Sequence, residues 1–85
     1  MFYFIYVLYF AKDKKFYTGY TKNLKLRLEQ HQNMLVDSTK SRGKFRLVYF
    51  EGCLNQQDAT HREKYLKTYF GKAYIRNRLK SSLTG

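Results

Sequence analysis

The sequence predicts an α+β domain: a three-stranded antiparallel sheet with flanking helices, in the order β-β-α-β-α-α. The first 20 residues contain two aromatic and β-branched runs on either side of a short charged turn, which is the pattern of a β-hairpin. A third run of this kind follows later, between segments whose apolar residues recur at helical spacing. Strands and helices in this arrangement commonly form one sheet with helices packed on it.

A chain of 85 residues is the length of one small domain, so we expect residues 1–85 to form a single domain. Such a domain buries roughly two-thirds of its unfolded surface and needs large side chains in its core. Nine Tyr and seven Phe supply them. The single cysteine, Cys53, excludes an internal disulfide and a cysteine-based zinc site, which favours a reducing, cytoplasmic setting.

The first strand is predicted over Met1–Phe10. Both of its alternating faces are apolar, with Tyr6 and Leu8 on one face and Ile5 and Val7 on the other. A strand that is apolar on both faces is usually central in its sheet. The run is too short to span a bilayer and lacks the features of a signal peptide, so no membrane association is expected.

The hairpin continues through the turn Lys12-Asp13-Lys14-Lys15 into a second strand, Phe16–Tyr20. Thr21 then caps a helix that is predicted to run from Lys22 to Met34. The apolar stripe of this helix also contains one polar residue, His31, and a second polar residue lies on its flank, Arg27. The apolar members of the stripe are Leu24, Leu28 and Leu35.

The second half of the chain begins with a basic loop, Leu35–Lys44, and a third strand, Arg46–Glu51. Asn55 is a good N-cap for a helix that extends to Phe70, and Gly71 is predicted to end this helix in a left-handed conformation. A last helix is predicted over residues 72–83. Its apolar face is Ile75, Leu79 and Leu83.

Glu63 lies within the apolar stripe of the helix that follows Asn55, which otherwise consists of Ala59, Leu66 and Phe70. A carboxylate that faces a core is unfavourable unless it is paired or binds a metal. The other five acidic residues lie at caps, turns and outward positions. A two-metal carboxylate cluster is therefore not expected.

The formal net charge is +11, from seventeen Lys and Arg against six acidic residues. Such an excess favours polyanions, with nucleic acid first and an anionic membrane second. Basic residues in the loop and on the outer face of the first helix are candidates for contacts with a nucleic-acid backbone, and a solvated surface is the alternative for each. These candidates are Lys22, Lys25, Lys40, Arg42 and Lys44.

Two tripeptides resemble the paired motif of the GIY-YIG nucleases: Phe4-Ile5-Tyr6 and, ten residues later, Tyr17-Thr18-Gly19. Phe4 replaces the first Gly of the motif, and Thr18 replaces the middle residue of the second tripeptide. Both tyrosines are retained.

Three further segments extend the resemblance over nearly the whole chain. The first helix, with Arg27 and His31, resembles the second block of the family. The segment Ala59–Lys67 is similar to the block that holds the metal-binding glutamate, here Glu63. Asn77 stands where the family often has an asparagine. The chain looks most like the small stand-alone members, which are similar to the nuclease domain of bacterial excision-repair endonucleases.

The resemblance implies a metal-dependent DNA endonuclease that acts in DNA repair or processing. Glu63 would hold one Mg²⁺ or Mn²⁺, and Arg27 would stabilise charge on the phosphate. Either of the two tyrosines would orient or activate the attacking water. The catalytic residues implied are Tyr6, Tyr17, Arg27, His31 and Asn77.

Each candidate also has a purely structural interpretation. Tyr6 and Tyr17 are core tyrosines in it, and His31 is a hydrogen-bonded core histidine. Glu63 then forms an ion pair with Lys67, four residues further on. For the whole chain, the alternatives are a nucleic-acid-binding module without catalysis and a small structural or protein-binding domain. A protein partner that delivers the domain to DNA is a further expectation.

Overall fold

The computed structural model describes residues 1–81. Three strands and three helices follow one another in the order β-β-α-β-α-α, and the sheet is antiparallel, which confirms the predicted α+β fold. The strands are β1 (Tyr3–Phe10), β2 (Lys15–Thr21) and β3 (Phe45–Cys53), and the helices are α1 (Leu24–Gln32), α2 (Gln56–Leu66) and α3 (Tyr69–Arg78).

The strand β1 is the central strand of the sheet, which has the order β2-β1-β3. Its residues Ile5 and Val7 pack in a core cluster that includes residues of α2 and α3. Tyr6, Leu8 and Phe10 point to the other face, where residues of α1 pack against them. Both faces of β1 are therefore covered, as its apolar alternation predicts.

The helix α1 begins two residues later than predicted, because Asn23 and not Thr21 is its N-cap. The Asn23 side chain accepts a hydrogen bond from the backbone N–H of Leu26 at 3.0 Å. Thr21 is the last residue of β2, and its hydroxyl accepts a hydrogen bond from the N–H of Asn23 at 3.1 Å. The helix also ends early, at Gln32, so Leu35 is exposed and does not extend the predicted stripe.

The prediction that one helix extends to Phe70 and stops at Gly71 is wrong. The helix α2 ends at Leu66, and Thr68 caps α3 by accepting a hydrogen bond from the N–H of Gly71. Gly71 lies in the first turn of α3, where a Cβ atom would collide with the backbone carbonyl of Tyr65. Phe70 is exposed. Leu83 of the predicted last face lies outside the described residues.

None of the helices in residues 1–81 has the length and apolar composition needed to cross a membrane.

Candidate active site

The phenol of Tyr6 reaches the site because of the strand register. Tyr6 on β1 pairs with Gly19 on β2. A Cβ atom at position 19 would collide with the ring and the hydroxyl of Tyr6. The glycine of the second tripeptide thus leaves the space that the tyrosine of the first one occupies.

A hydrogen-bonded chain links Tyr6 to the loop between α1 and β3. The Tyr6 hydroxyl lies 2.7 Å from Nε2 of His31, and Nδ1 of His31 lies 2.8 Å from the hydroxyl of Thr39. The Thr39 hydroxyl donates to the carbonyl of Val36 at 3.4 Å. Tyr6, His31 and Thr39 are all buried, so these polar groups satisfy one another in place of water.

Arg27 forms the other end of this chain. Its Nε–H donates to the Tyr6 hydroxyl at 3.4 Å, and its Nη1–H donates to Oε1 of Gln30 at 2.9 Å. Within the described part of the chain, Nη2 has no hydrogen-bond partner. A guanidinium fixed through two of its nitrogens keeps a third one for an anion such as a phosphate.

Burial keeps the Tyr6–His31 pair neutral. It raises the pKa of the Tyr6 phenol to about 12, even though the hydrogen bond from Arg27 acts in the opposite direction. Burial and the nearby charge of Arg27 lower the pKa of His31 to about 4. At pH 7 a neutral phenol therefore faces a neutral imidazole.

Tyr17 joins the same cluster but differs from Tyr6 in its exposure. Its ring centroid lies 6.4 Å from that of Tyr6 and 5.3 Å from that of His31. Tyr6 is 0% exposed, whereas Tyr17 is only partly buried, and its hydroxyl accepts a hydrogen bond from the Ser38 hydroxyl at 3.4 Å. Of the two tyrosines, only Tyr17 is accessible to solvent.

Glu63 lies on α2 and interacts electrostatically with the cluster. Its negative charge contributes to the raised pKa of Tyr6. Its carboxylate lies 3.2 Å from Nζ of Lys67, so the predicted structural pairing does form. The Lys67 side chain is 55% exposed, against 20% for that of Glu63. A pairing with so exposed a lysine is weak and can be displaced.

Glu63 offers one carboxylate, and carboxylate oxygens are ligands that a hard divalent cation prefers. Within residues 1–81 there is no group of three or more His, Cys, Asp or Glu side chains able to hold a metal ion. A cation at Glu63 would therefore complete its coordination with water and substrate oxygens. This is the coordination that Mg²⁺ commonly adopts in proteins.

The remaining predicted residues lie around the cluster. Asn77 is exposed on α3, and no hydrogen bond within residues 1–81 joins it to the cluster. Lys22, Lys25 and Lys44 are exposed. Lys40 pairs with an exposed aspartate of its own loop.

Arg42 is held in place by two contacts. Its Nε lies 2.8 Å from Oδ2 of Asp13, and its guanidinium carbon lies 4.3 Å from the centroid of the Phe10 ring. The hydrogen bond from Arg42 also lowers the pKa of Asp13. Arg42 therefore connects the basic loop to the hairpin turn.

Two residues of the site were missed from sequence. Thr39 belongs to a turn-rich basic loop, where nothing distinguishes it from its neighbours Ser38 and Ser41. Gln30 is a polar residue on a largely polar helix. Their roles depend on contacts with His31 and Arg27, and a single sequence does not reveal these contacts.

The chain is similar to a known catalytic domain and to several bacterial proteins. The family model for the GIY-YIG catalytic domain matches residues 2–80. The UPF0213 protein CPE1444 of Clostridium perfringens is 42% identical over 65 residues, which are 75% of this chain and 69% of that protein. The UPF0213 protein in the ldhD 5′ region of Pediococcus acidilactici is 39% identical over 81 residues, covering 88% and 82% of the two chains.

A solved structure has the same fold. The solution NMR structure of the UPF0213 protein BH0048 from Bacillus halodurans aligns with a TM-score of 0.55 at 30% sequence identity. The alignment covers 100% of this chain and 87% of that one.

The fold and the family match place this small α+β domain in a class of nuclease domains. The chain belongs to the GIY-YIG family, and the resemblance drawn from its motifs is confirmed.

Proposed function

We propose that this protein is a metal-dependent DNA endonuclease that hydrolyses phosphodiester bonds in DNA repair or processing. The observation that carries the proposal is the convergence of Tyr6, Tyr17, Arg27 and His31, which come from three different elements. A domain with a net charge of +11 supplies the attraction for the DNA backbone.

Arg27 is the residue that binds the scissile phosphate. Its Nε and Nη1 are held by Tyr6 and Gln30, which leaves Nη2 for a phosphate oxygen. A donor that is fixed before the reaction stabilises developing negative charge without reorganisation. Removal of one such donor lowers kcat by about 10²- to 10³-fold in well-studied sites.

The two tyrosines have separate tasks in this proposal. Tyr17 is only partly buried, so its hydroxyl orients the attacking water. Tyr6 is fully buried and acts as a positioning residue that holds Arg27 and His31. The water oxygen bonds to phosphorus and gives up one proton to solvent. The bond from phosphorus to the leaving 3′ oxygen breaks, and that oxygen takes a proton from solvent.

Glu63 is the residue that would hold Mg²⁺ or Mn²⁺. When bound, such a cation polarises the scissile phosphate and stabilises the leaving oxygen. With a cation on Glu63, Lys67 would be released from its ion pair and would be available to the DNA backbone. The exposed residues Lys22, Lys25 and Lys44 extend this basic surface, and Asn77 is a further candidate for a phosphate contact.

The test is a cleavage assay on supercoiled plasmid and on nicked, flap, branched and single-stranded DNA. Wild-type protein is incubated with Mg²⁺, Mn²⁺ or EDTA and is compared with Arg27→Ala and Tyr17→Phe. We expect metal-dependent cutting by the wild type. Arg27→Ala is expected to lose about 10²-fold or more.

Loss of the Tyr17 hydroxyl is expected to cost about 10²-fold, the lower end for a positioned catalytic group. Binding without cleavage on every substrate and with every metal would instead support a nucleic-acid-binding module. Equal cutting by all three proteins would contradict the site assignment.

A further inference from the structure

We propose that Thr39 is a positioning residue whose hydroxyl selects the tautomer of His31 and thereby sets the direction of the hydrogen bonds that hold Arg27. The role of Arg27 on the substrate rests on the proposed function. The control of the tautomer by Thr39 rests on contacts within the protein alone.

The groups at the two ends of this hydrogen-bonded series, the Val36 carbonyl and the Arg27 guanidinium, determine which atom donates in each bond. The carbonyl of Val36 can only accept a hydrogen bond, so the Thr39 hydroxyl gives its proton to it. The Thr39 oxygen is then the acceptor for Nδ1–H of His31 at 2.8 Å. At the other end, the guanidinium of Arg27 can only donate, so the Tyr6 oxygen must be its acceptor.

The middle of the chain agrees with both ends. With the proton on Nδ1, the Nε2 atom of His31 carries a lone pair and accepts the Tyr6 hydroxyl proton across 2.7 Å. The lone pairs of the Tyr6 oxygen then face the Nε–H of Arg27. Each contact from Val36 to Arg27 Nε then pairs one donor with one acceptor, which is the expected state of a buried polar network.

The opposite tautomer breaks this order. A proton on Nε2 of His31 would point at the Tyr6 oxygen, and the Tyr6 hydroxyl proton would have to turn away from His31. The neighbour on that side is Arg27, which has no acceptor to offer. Thr39 would also have to give its proton to Nδ1 and lose its bond to the Val36 carbonyl. The tautomer therefore decides whether the Tyr6 hydroxyl proton has an acceptor or turns toward Arg27.

The loop that carries Thr39 is built to keep it in place. Thr39 is 3% exposed, and its N–H donates to the carbonyl of Val36 at 3.1 Å. The carbonyl of Thr39 accepts from the N–H of Arg42 at 3.0 Å. Arg42 is anchored by the carboxylate of Asp13 in the hairpin turn. The ion pair of the hairpin thus supports the residue that orients His31.

The experiment reads the His31 tautomer by ¹⁵N NMR of the imidazole ring in the metal-free, DNA-free protein. His61, which is exposed on α2, serves as the internal reference. We expect an Nδ1–H signature for His31 in the wild type and in Thr39→Ser, which keeps the hydroxyl. In the nearly isosteric Thr39→Val, we expect the Nδ1–H population to fall and the Arg27 Nε–H signal to weaken.

Cleavage is measured on the same proteins as a second readout. Thr39→Val should lower kcat by about 10- to 100-fold, as for partners that orient metal-binding histidines. Thr39→Ser should retain the wild-type rate.

An Nε2–H signature in the wild type, or an unchanged Nδ1–H signature in folded Thr39→Val, would overturn the proposal. The wild-type spectrum alone decides the first point even if Thr39→Val fails to fold. Absence of cleavage by every protein would count against the proposed function and not against the role of Thr39 in the tautomer.

Discussion

Gly19 has no side chain, and its contribution to the site is the space it leaves. The Tyr6 phenol lies where a Cβ atom at position 19 would be, and the ring is fully buried. From that place it binds both His31 and Arg27. At the residue scale, the two tripeptides act as one unit across the strand pair.

Substitution of Gly19 by alanine should therefore be costly. Overpacking of a buried site typically destabilises by about 1–3 kcal/mol, and the Tyr6 ring has no free space to move into. Gly52→Ala is the matched control, because Gly52 is also a strand glycine and its nearest neighbour is the exposed Phe2 ring at 3.1 Å. Denaturant unfolding should show a large loss for Gly19→Ala and a small one for Gly52→Ala. Equal losses would mean that Tyr6 is not confined.

His31 should make stability depend on pH. Its pKa is about 4 in the folded protein and 6.5 at the ordinary value, so the unfolded chain binds more protons between these limits. The free energy of unfolding should fall as the pH is lowered from about 6.5 toward 4, by no more than about 3 kcal/mol. Unfolding curves of His31→Gln should lack this slope, whereas those of the exposed His61→Gln should keep it. A slope that survives in His31→Gln would assign the effect to other groups.

The key residues were predictable from sequence to different degrees. Tyr6, Arg27 and His31 stand at positions that match family motifs, and the structure brings their side chains together. The direction of the hydrogen bonds was not predictable, because it depends on Thr39, eight residues from His31 along the chain. The expectation of a hydrogen-bonded core histidine also holds, and the proposed role of His31 builds on it.

At the scale of elements, the strands were predicted better than the helix ends. Aromatic alternation identified all three strands and the central place of β1. The helix ends depend on competition between neighbouring cap residues, such as Thr21 and Asn23, which the three-dimensional turn decides. Gly71 was misassigned because the close approach of α3 to the end of α2, and not a left-handed turn, requires a glycine there.

The loop between α1 and β3 should loosen when its anchor on the hairpin is removed. Asp13→Asn removes the ion pair with Arg42 but keeps an acceptor for the N–H of Lys15. Amide hydrogen exchange of Arg42, whose N–H binds the Thr39 carbonyl, should become faster. Asp37→Asn is the control, because its pairing with Lys40 lies on the surface. Unchanged exchange in Asp13→Asn would show that the ion pair does not hold the loop.

At the scale of the whole molecule, charge and fold serve different purposes. The apolar pattern determines a sheet with helices on both faces, and the charge of +11 is distributed over the surface of that sheet and its helices. The fold class was predictable because both signals are repeated along the chain. The sequence did not predict whether Glu63 pairs with Lys67 or holds a metal, because both interpretations use the same helical position.

Binding of DNA should depend strongly on salt. Each neutralised phosphate contributes a slope of about −0.9 in log K against log salt for duplex DNA. In EDTA, where cleavage is prevented, fluorescence anisotropy should show a steep slope, and Lys44→Ala should reduce it by about one unit. Substitution of Lys12, whose Nζ binds the carbonyl of Ser41, gives a basic control outside the proposed surface. Affinity that is independent of salt would contradict a backbone-binding surface.

The most direct test of the central claim compares two glutamates that differ in position only. The charge of Glu63 on α2 contributes to the raised pKa of Tyr6, whereas Glu29 is exposed on α1. Metal-dependent plasmid nicking is measured for Glu63→Gln and Glu29→Gln, and binding of Mn²⁺ is measured on the same proteins. We predict that Glu63→Gln abolishes nicking and weakens Mn²⁺ binding, while Glu29→Gln retains both. Equal nicking by the two variants would contradict the assignment of Glu63 and, with it, the proposed active site.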